Sequence, residues 1–298
     1  MYWIIPALIA PFINAVNNFA DKYLVSGAIK SWKVIPVYGA FFSFTVSTAI
    51  WGALGFFSPG IYSLFGVASG ITTVVAVTAY YKLMSRQDVS EMVFFLGLTT
   101  PLILILSYVL LGERISFFQF AGFVLILLAV ALITFKKEQA HFRWSQTMAL
   151  ILVADGMWAL GAVLMKFAIN ENSFIRSLCY EGWGMGLAGL MFFSFSSDIR
   201  SNFLKNFDRI KKRTLFIFGA DEVLSIVGRY VEYFAYSIGP VALVSVAGGA
   251  QTFYCILLGL ILTIVIPGVI KEDITGKNLF KKLAAAVILV VGLYFINT

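Results

Sequence analysis

Six ionisable side chains occur inside stretches of sequence that are otherwise almost entirely apolar. They are Asp155, Glu181, Asp221, Glu222, Arg229 and Glu232. A charged side chain costs roughly 2.5–3.5 kcal/mol at the centre of a membrane helix, so such groups face a partner or a water-filled cavity. Because the acids outnumber the single base, the sequence predicts an acidic interior that suits a positively charged ligand or a bound proton.

Polar side chains recur on one face of the helix that the sequence predicts over 214–237. At helical spacing this face carries Asp221, Ser225, Gly228, Glu232 and Tyr236. We predict that it binds substrate, with Asp221 or Glu232 as counter-ion for a cationic substrate or as proton carrier. An alternative is a structural ion pair between Arg229 and Glu232, which are three residues apart.

Asp155 and Trp158 form a second candidate pair, also three residues apart on one helix face. A carboxylate beside an indole suits an ammonium group, since charge attraction and cation–π attraction combine. The alternative is a solvated Asp beside a Trp at the membrane interface. Uncharged candidates for substrate binding, or alternatively for hydrogen bonds between helices, are Asn14, Asn18, Thr99, Gln251 and Tyr254.

The composition predicts an all-α integral membrane protein. Of the 298 residues, 60% are hydrophobic and 12% are charged, and the mean hydropathy is +0.90. The apolar runs are too long and uninterrupted for barrel strands, which alternate apolar and polar residues. With about 20 residues per span, ten transmembrane helices are predicted at 2–20, 34–57, 61–83, 91–111, 117–135, 146–169, 174–196, 214–237, 241–266 and 279–297.

The histidine and cysteine residues, and the motifs of the chain, argue against several classes of function. His141 is the single histidine and lies in a charged link, and Cys179 and Cys255 lie in apolar runs without metal-ligand spacing. No nucleotide-binding loop or Ser/His/Asp arrangement occurs. We therefore predict no enzyme activity, no metal, no cofactor and no nucleic-acid partner. The expected partners are a small-molecule substrate and the lipid bilayer, with the chain a monomer or a homodimer.

The basic residues predict the orientation of the chain. Most of its 22 Lys and Arg residues fall in alternate links, at 21–33, 82–90, 136–145, 197–213 and 267–282. Short links rich in Lys and Arg stay in the cytoplasm. This bias predicts a multi-pass protein of the cell inner (plasma) membrane with both termini outside, and it also accounts for the net charge of +7.

Similar segments recur in the same order in the two halves of the sequence. Gly97-Leu98-Thr99-Thr100 corresponds to Gly249-Ala250-Gln251-Thr252, and the apolar run from Ala121 resembles the run from Ala284. The predicted repeats are 1–140 and 141–298. Five spans per repeat force the two repeats into inverted orientations, which is typical of carriers that work by alternating access.

One segment carries a likeness to a known family. The run Leu111-Gly112-Glu113-Arg114-Ile115-Ser116, followed by Gln119 and Gly122, resembles the Gly-Glu-Arg turn of the EamA-type transporters in the drug/metabolite transporter superfamily. Thr99-Thr100-Pro101-Leu102 and Met157-Trp158-Ala159-Leu160 also fit. The resemblance implies a ten-helix, two-repeat carrier of small metabolites with a central cavity.

The chain departs from the family pattern in its second half and in its orientation. Lys271-Glu272-Asp273 stands in place of a second Gly-Glu-Arg turn, and Phe253 is the counterpart of Pro101. The family usually keeps both termini in the cytoplasm, opposite to the orientation that the basic residues predict.

Together these features predict a secondary transporter of an amine, a quaternary ammonium compound or an amino acid, with proton coupling as an option. The alternative is a flippase or exporter of an amine-bearing lipid-linked or amphiphilic substrate. A membrane-embedded enzyme would need clustered catalytic groups at one membrane face. A structural or signalling protein would not require the polar face on 214–237.

The orientation is testable by cysteine labelling. In intact cells, a Thr298→Cys variant on a background with both native cysteines replaced by Ser should react with a membrane-impermeant maleimide. A Lys205→Cys variant, in a link predicted to be cytoplasmic, should react only after permeabilisation. The reverse pattern would contradict the predicted orientation.

Overall fold

The computed structural model describes residues 2–25, 29, 31–55, 57–85, 98–134, 144–207, 212–265 and 276–298. This part of the chain is 89% helical and contains no strands, which confirms the all-α prediction. His141, Lys271-Glu272-Asp273 and most residues of the predicted links 82–90, 136–145 and 267–282 lie outside the described residues.

Twelve α-helices follow one another along the described chain. They are α1 Ile4–Tyr23, α2 Ile35–Ala53, α3 Ser63–Met84, α4 Thr99–Leu106, α5 Phe117–Thr134, α6 Trp144–Glu171, α7 Phe174–Phe195, α8 Ser197–Phe207, α9 Lys212–Ile238, α10 Val241–Ala247, α11 Ala250–Val265 and α12 Gly276–Ile296. A 3-10 turn at Trp32–Val34 precedes α2, and a π-helical turn at Ser107–Leu111 continues α4.

Five helical segments are long and apolar enough to cross a membrane. They are Ile4–Tyr23, Trp32–Ala53, Ser63–Met84, Met148–Glu171 and Val241–Gly259. Thr99–Leu111, Phe117–Leu132 and Leu283–Ile296 are apolar but shorter. Large apolar side chains are exposed on the outside of the bundle, for example Phe118, Leu190 and Val287. These features point to a multi-pass membrane protein, while the count of ten spans stays a prediction.

Two predicted segments differ from the observed helices. The segment 241–266 is divided at Gly248 and Gly249, where α10 ends and α11 begins. The predicted link 197–213 contains α8, whose first turn is capped because Ser196 Oγ accepts a hydrogen bond from the Ile199 amide at 3.3 Å. Because the hydropathy of α8 is low, the apolar runs of the sequence do not predict this helix.

Helix α8 is docked on the bundle through one aromatic residue and one ion pair. The Phe203 ring packs 4.3 Å from the Tyr38 ring, and the Tyr38 hydroxyl donates to the Phe203 carbonyl at 2.8 Å. Lys33 forms an ion pair with Asp198. The hydrogen bond and charge of Lys33 lower the pKa of Asp198 below its usual value. The pair therefore holds α8 at ordinary pH and weakens when acid protonates Asp198.

The main helix contacts in the bundle join helices of the first half of the chain to helices of the second half. Helix α1 packs on α9, α3 on α6 and α7, α2 on α7, and α5 on α12. Helices α3 and α7 approach closely at Gly70. A Cβ built on Gly70 would lie 2.0 Å from the Glu181 carbonyl oxygen and 2.6 Å from the Met185 nitrogen. The absence of a side chain there brings the two backbones into contact.

A Gly70→Ala variant should therefore be destabilised. Overpacking a tight contact costs about 1–3 kcal/mol of unfolding free energy, and here the obstacle is backbone that cannot rotate away. Gly156→Ala on α6 is the matched control, because a Cβ there meets no atom within 4 Å. Thermal unfolding in detergent should give a lower Tm for Gly70→Ala alone. Equal values would contradict the close contact.

Candidate functional site

A cavity of about 400 Å³ lies inside the bundle, between helices from both halves of the chain. Eight of the residues predicted to bind substrate line it. They are Asn14, Asn18, Thr99, Trp158, Asp221, Ser225, Glu232 and Gln251. The cavity therefore brings together side chains of α1, α4, α6, α9 and α11 that are far apart in sequence.

Asp155 and Tyr254, the remaining two predicted residues, do not line this cavity. Asp155 is fully buried, and its Oδ1 accepts a hydrogen bond from the Thr99 hydroxyl at 2.6 Å. Its Oδ2 has no hydrogen-bond partner among the described residues. Tyr254 packs edge-to-face on Phe12 at 5.4 Å, and Phe12 is exposed on the outside of the bundle. Asp155 therefore reaches the cavity only through Thr99.

Three acids line one end of the cavity. Asp21 comes from the last turn of α1, and Asp221 and Glu222 come from α9. Asp21 accepts a hydrogen bond from the Tyr81 hydroxyl. The Asn17 amide, oriented to donate, lies 2.8 Å from Oδ1 of Asp221. Within the described parts of the chain, no Lys or Arg pairs with any of these three acids.

Asp21 is a cavity residue that the sequence does not predict. It follows the predicted span 2–20 and falls in a predicted cytoplasmic link, but α1 continues to Tyr23 and buries it. A signal was present in the sequence. Asn14, Asn17, Asn18 and Asp21 recur at helical spacing, so the polar face of the first helix extends to the acid.

Glu222 differs from the other two acids because no donor among the described residues hydrogen-bonds to its carboxylate. Its side chain is only 8% exposed, and its carboxylate faces α2 at Gly39. A Cβ built on Gly39 would lie 2.6 Å from Oε1 of Glu222. The glycine therefore provides the space that the carboxylate occupies at the cavity wall.

Arg229 forms its ion pair with Glu181 of α7. The Nη1–Oε1 distance is 3.5 Å, and Nη2 donates to Ser43 Oγ at 3.0 Å. The Tyr233 hydroxyl also donates to Glu181, at 3.1 Å. The alternative pairing of Arg229 with Glu232 is not what the structure contains. Arg229 reaches across to α2 and α7, which leaves Glu232 to the neighbouring tyrosine.

Glu232 accepts a hydrogen bond from the Tyr236 hydroxyl one helical turn later, at 2.7 Å. Both side chains line the cavity. Glu232 thus has a neutral partner and remains available at the cavity wall, in contrast to Glu181, whose partners are an arginine and a tyrosine.

The Gly-Glu-Arg turn is a positioning element for the cavity. Gly112 adopts φ 68°, which a residue with a side chain rarely does. Glu113 then reaches the start of α10, where Oε1 accepts the Val241 amide at 3.1 Å and Oε2 accepts the Ala242 amide at 3.5 Å. A carboxylate is stabilised by the free amides at a helix N-terminus.

Glu113 binds the start of α10, and Lys166 binds the other side of the turn between α9 and α10, at the end of α9. Its Nζ donates to the Tyr236 carbonyl and, at 3.2 Å, to the Gly239 carbonyl. A cation is favourable at the carbonyl end of a helix. Lys166 and Glu113 therefore hold the end of α9 and the start of α10, and α10 leads to Gly248 and Gly249 at the cavity wall.

The described residues contain no group of three or more His, Cys, Asp or Glu side chains arranged to hold a metal ion.

Comparison with known proteins identifies a family for the first part of the chain. Residues 1–135 match the EamA-like transporter family, which is part of the drug/metabolite transporter superfamily, and the predicted resemblance is confirmed. A crystal structure of another protein is similar over 97% of this chain and 95% of its own, with a TM-score of 0.65 and 14% identity. That similarity concerns the fold alone. A search of curated proteins gave no match.

The Arg229–Glu181 pair should appear as a strong coupling in stability measurements. Removing one partner of a buried ion pair costs about 3–5 kcal/mol, because the other charge is left uncompensated. Arg229→Met should lower the Tm in detergent, and adding Glu181→Gln should recover part of the loss. Arg213→Met, at an exposed arginine of the same helix, is the control. Additive losses in the double variant would contradict the pairing.

Proposed function

We propose that this chain, whose residues 1–135 match the EamA-like transporters, is a secondary transporter of a small polar metabolite. The observation that carries the proposal is the cavity of about 400 Å³, which lies inside an apolar bundle and is lined by carboxylates, amides and hydroxyls. Ligand pockets for small molecules have volumes of roughly 300–1,000 Å³. The excess of acids favours an amine, a quaternary ammonium compound or an amino acid over a phosphorylated anion.

We further propose ten spans arranged as two inverted five-helix repeats. The ten spans are counted with α10 and α11 as one span and with α8 outside the membrane. Exchange of the two halves then makes α6 the counterpart of α1 and α3 the counterpart of α9. It converts the α1–α9 contact into the α6–α3 contact. It also converts the α1–α11 contact into the α6–α4 contact, and both members of each pair occur. This symmetric pairing supports the repeat, and inverted repeats are typical of alternating access with the site between the halves.

The position of the cavity favours one stage of such a cycle. Its lining residues occupy the C-terminal half of α1, from Asn14 to Asp21, and the N-terminal half of α2, from Ile35 to Ala40. These two ends lie on the side of the basic links. At the opposite end, Tyr233 and Tyr236 are buried. In a plasma membrane with the basic links inside, this would be a cytoplasm-facing conformation.

Asp221 and Glu232 are the proposed carriers of substrate charge or of a coupled proton. Both line the cavity, and neither is paired with a cation in the described chain. Among the residues that the structure describes, Glu232 accepts a hydrogen bond from the Tyr236 hydroxyl and Asp221 accepts one from the Asn17 amide.

Uptake into proteoliposomes tests this proposal. A panel of radiolabelled amines, quaternary ammonium compounds and amino acids should include a substrate whose uptake saturates. Asp221→Asn and Glu232→Gln should each reduce the initial rate about tenfold or more, since a charge partner of the substrate is lost, while the elution profile in gel filtration stays unchanged.

Glu171→Gln, at an exposed acid that ends α6, should transport normally. Undiminished uptake by both cavity variants would remove the two carboxylates from the proposal. Absence of saturable uptake for the entire panel would contradict transport of this substrate class.

A further inference from the structure

The acid-lined end of the cavity, formed by Asp21, Asp221 and Glu222, contains three carboxyl groups that pair with no Lys or Arg among the described residues. We infer that this end binds the positively charged group of an organic ammonium ion, with Glu222 as its direct counter-ion and the Tyr80 and Trp158 rings as its apolar wall. The inference rests on the proposed transport function, because it assigns the cation of the substrate to one end of the same cavity.

The charges around this end of the cavity leave a place for one external cation. Of the described residues that line the cavity, Arg229 is the one arginine, and it is paired with Glu181. Asp21 and Asp221 each have a neutral donor, from Tyr81 and Asn17. These hydrogen bonds satisfy lone pairs but add no positive charge. A buried carboxylate without a cation is costly, so these groups are neutralised either by a proton or by a bound cation.

Glu222 identifies where that cation would bind. Its side chain is more than nine-tenths buried, lines the cavity, and has neither a hydrogen-bond donor nor an ion-pair partner in the described structure. Buried polar groups are almost always hydrogen-bonded. The Glu222 oxygens are not among the enclosed unpartnered atoms of the described residues, so the carboxylate is open to the cavity and can take a ligand there as its partner.

The surrounding side chains favour an organic ammonium over a metal ion. The Tyr80 ring packs 5.6 Å from the Trp158 ring and 5.4 Å from the Tyr81 ring, and all three rings line the cavity. Aromatic faces attract ammonium groups, and quaternary ammonium ions in particular. The described residues contain no group of acids arranged to hold a metal ion, whereas aromatic rings beside carboxylates suit a bulky organic cation.

Choline and its uncharged carbon isostere, in which carbon replaces the nitrogen, are the matched probes. Binding to the purified full-length protein in detergent would be measured by isothermal titration calorimetry at constant ionic strength. Choline should bind and the isostere should not, because only choline carries the charge. Glu222→Gln should weaken choline binding about tenfold or more without lowering the Tm, since it removes an unpaired buried charge. Equal binding of choline and isostere, or no binding of choline, would overturn the inference.

A second variant tests Glu222 without altering its charge. In Gly39→Ala the new methyl group would occupy the space next to Oε1 and displace the carboxylate from the wall. It should therefore weaken choline binding. Gly219→Ala in α9 is the matched control, because a Cβ there meets no atom within 4 Å. If choline binding is unchanged in both Glu222→Gln and Gly39→Ala, the site is elsewhere and the inference is wrong.

The outcomes for the site and for transport are separable. Choline binding that depends on Glu222, without saturable uptake of any compound in proteoliposomes, would leave the ammonium site standing and contradict the carrier function. Saturable uptake of a neutral or anionic metabolite that Glu222→Gln does not change would support a carrier and overturn the ammonium site.

Discussion

A charge buried in an apolar bundle needs a partner, and this constraint organises the interior of the protein. The buried acids differ in their partners. Glu181 has Arg229 and Tyr233, Glu232 has Tyr236, and Asp155 has Thr99. These partners come from other helices or from the next helical turn, so the charges also fix how the helices are placed. Glu222 has no hydrogen-bond or ion-pair partner in the described part of the chain, and it lines the cavity.

The division of partners gives the cavity two chemically different parts. On the α7 side, Arg229 and Glu181 neutralise each other, so the polar network there holds α2, α7 and α9 together. At the end formed by α1 and α9, the carboxylates have neutral donors or none. The ion-paired Arg229 and the proposed ligand-binding residue Glu222 thus lie in different parts of α9.

The cavity wall also depends on interrupted helices. Glu113 and Lys166, which are far apart in sequence, hold the turn between α9 and α10 through backbone amides and carbonyls. Helix α10 then ends at Gly248, so backbone as well as side chains reaches the cavity. Non-helical backbone at membrane depth is tolerated where it lines a polar cavity. The Gly-Glu-Arg turn therefore acts on the cavity from a distance.

The sequence by itself determined the helical class, and eight of the ten residues that it predicts to bind substrate line the cavity. Apolar runs and helical spacing are local properties, and the face with Asp221, Ser225 and Glu232 follows from them. The family resemblance likewise rested on a contiguous run around Glu113. Helix α8 is not predicted, because its sequence is polar and apolar runs indicate membrane spans only. Its position depends on the tertiary contact of Phe203 with Tyr38.

Only the tertiary structure decided which groups meet. Arg229 could reach Glu232 on its own helix, but packing of α2 and α7 against α9 offers it Ser43 and Glu181 instead. Asp21 became a site residue because α1 extends far enough to bury it beside Tyr81. The partner of a buried charge depends on distances between helices. These distances cannot be derived from the spacing of residues within one helix.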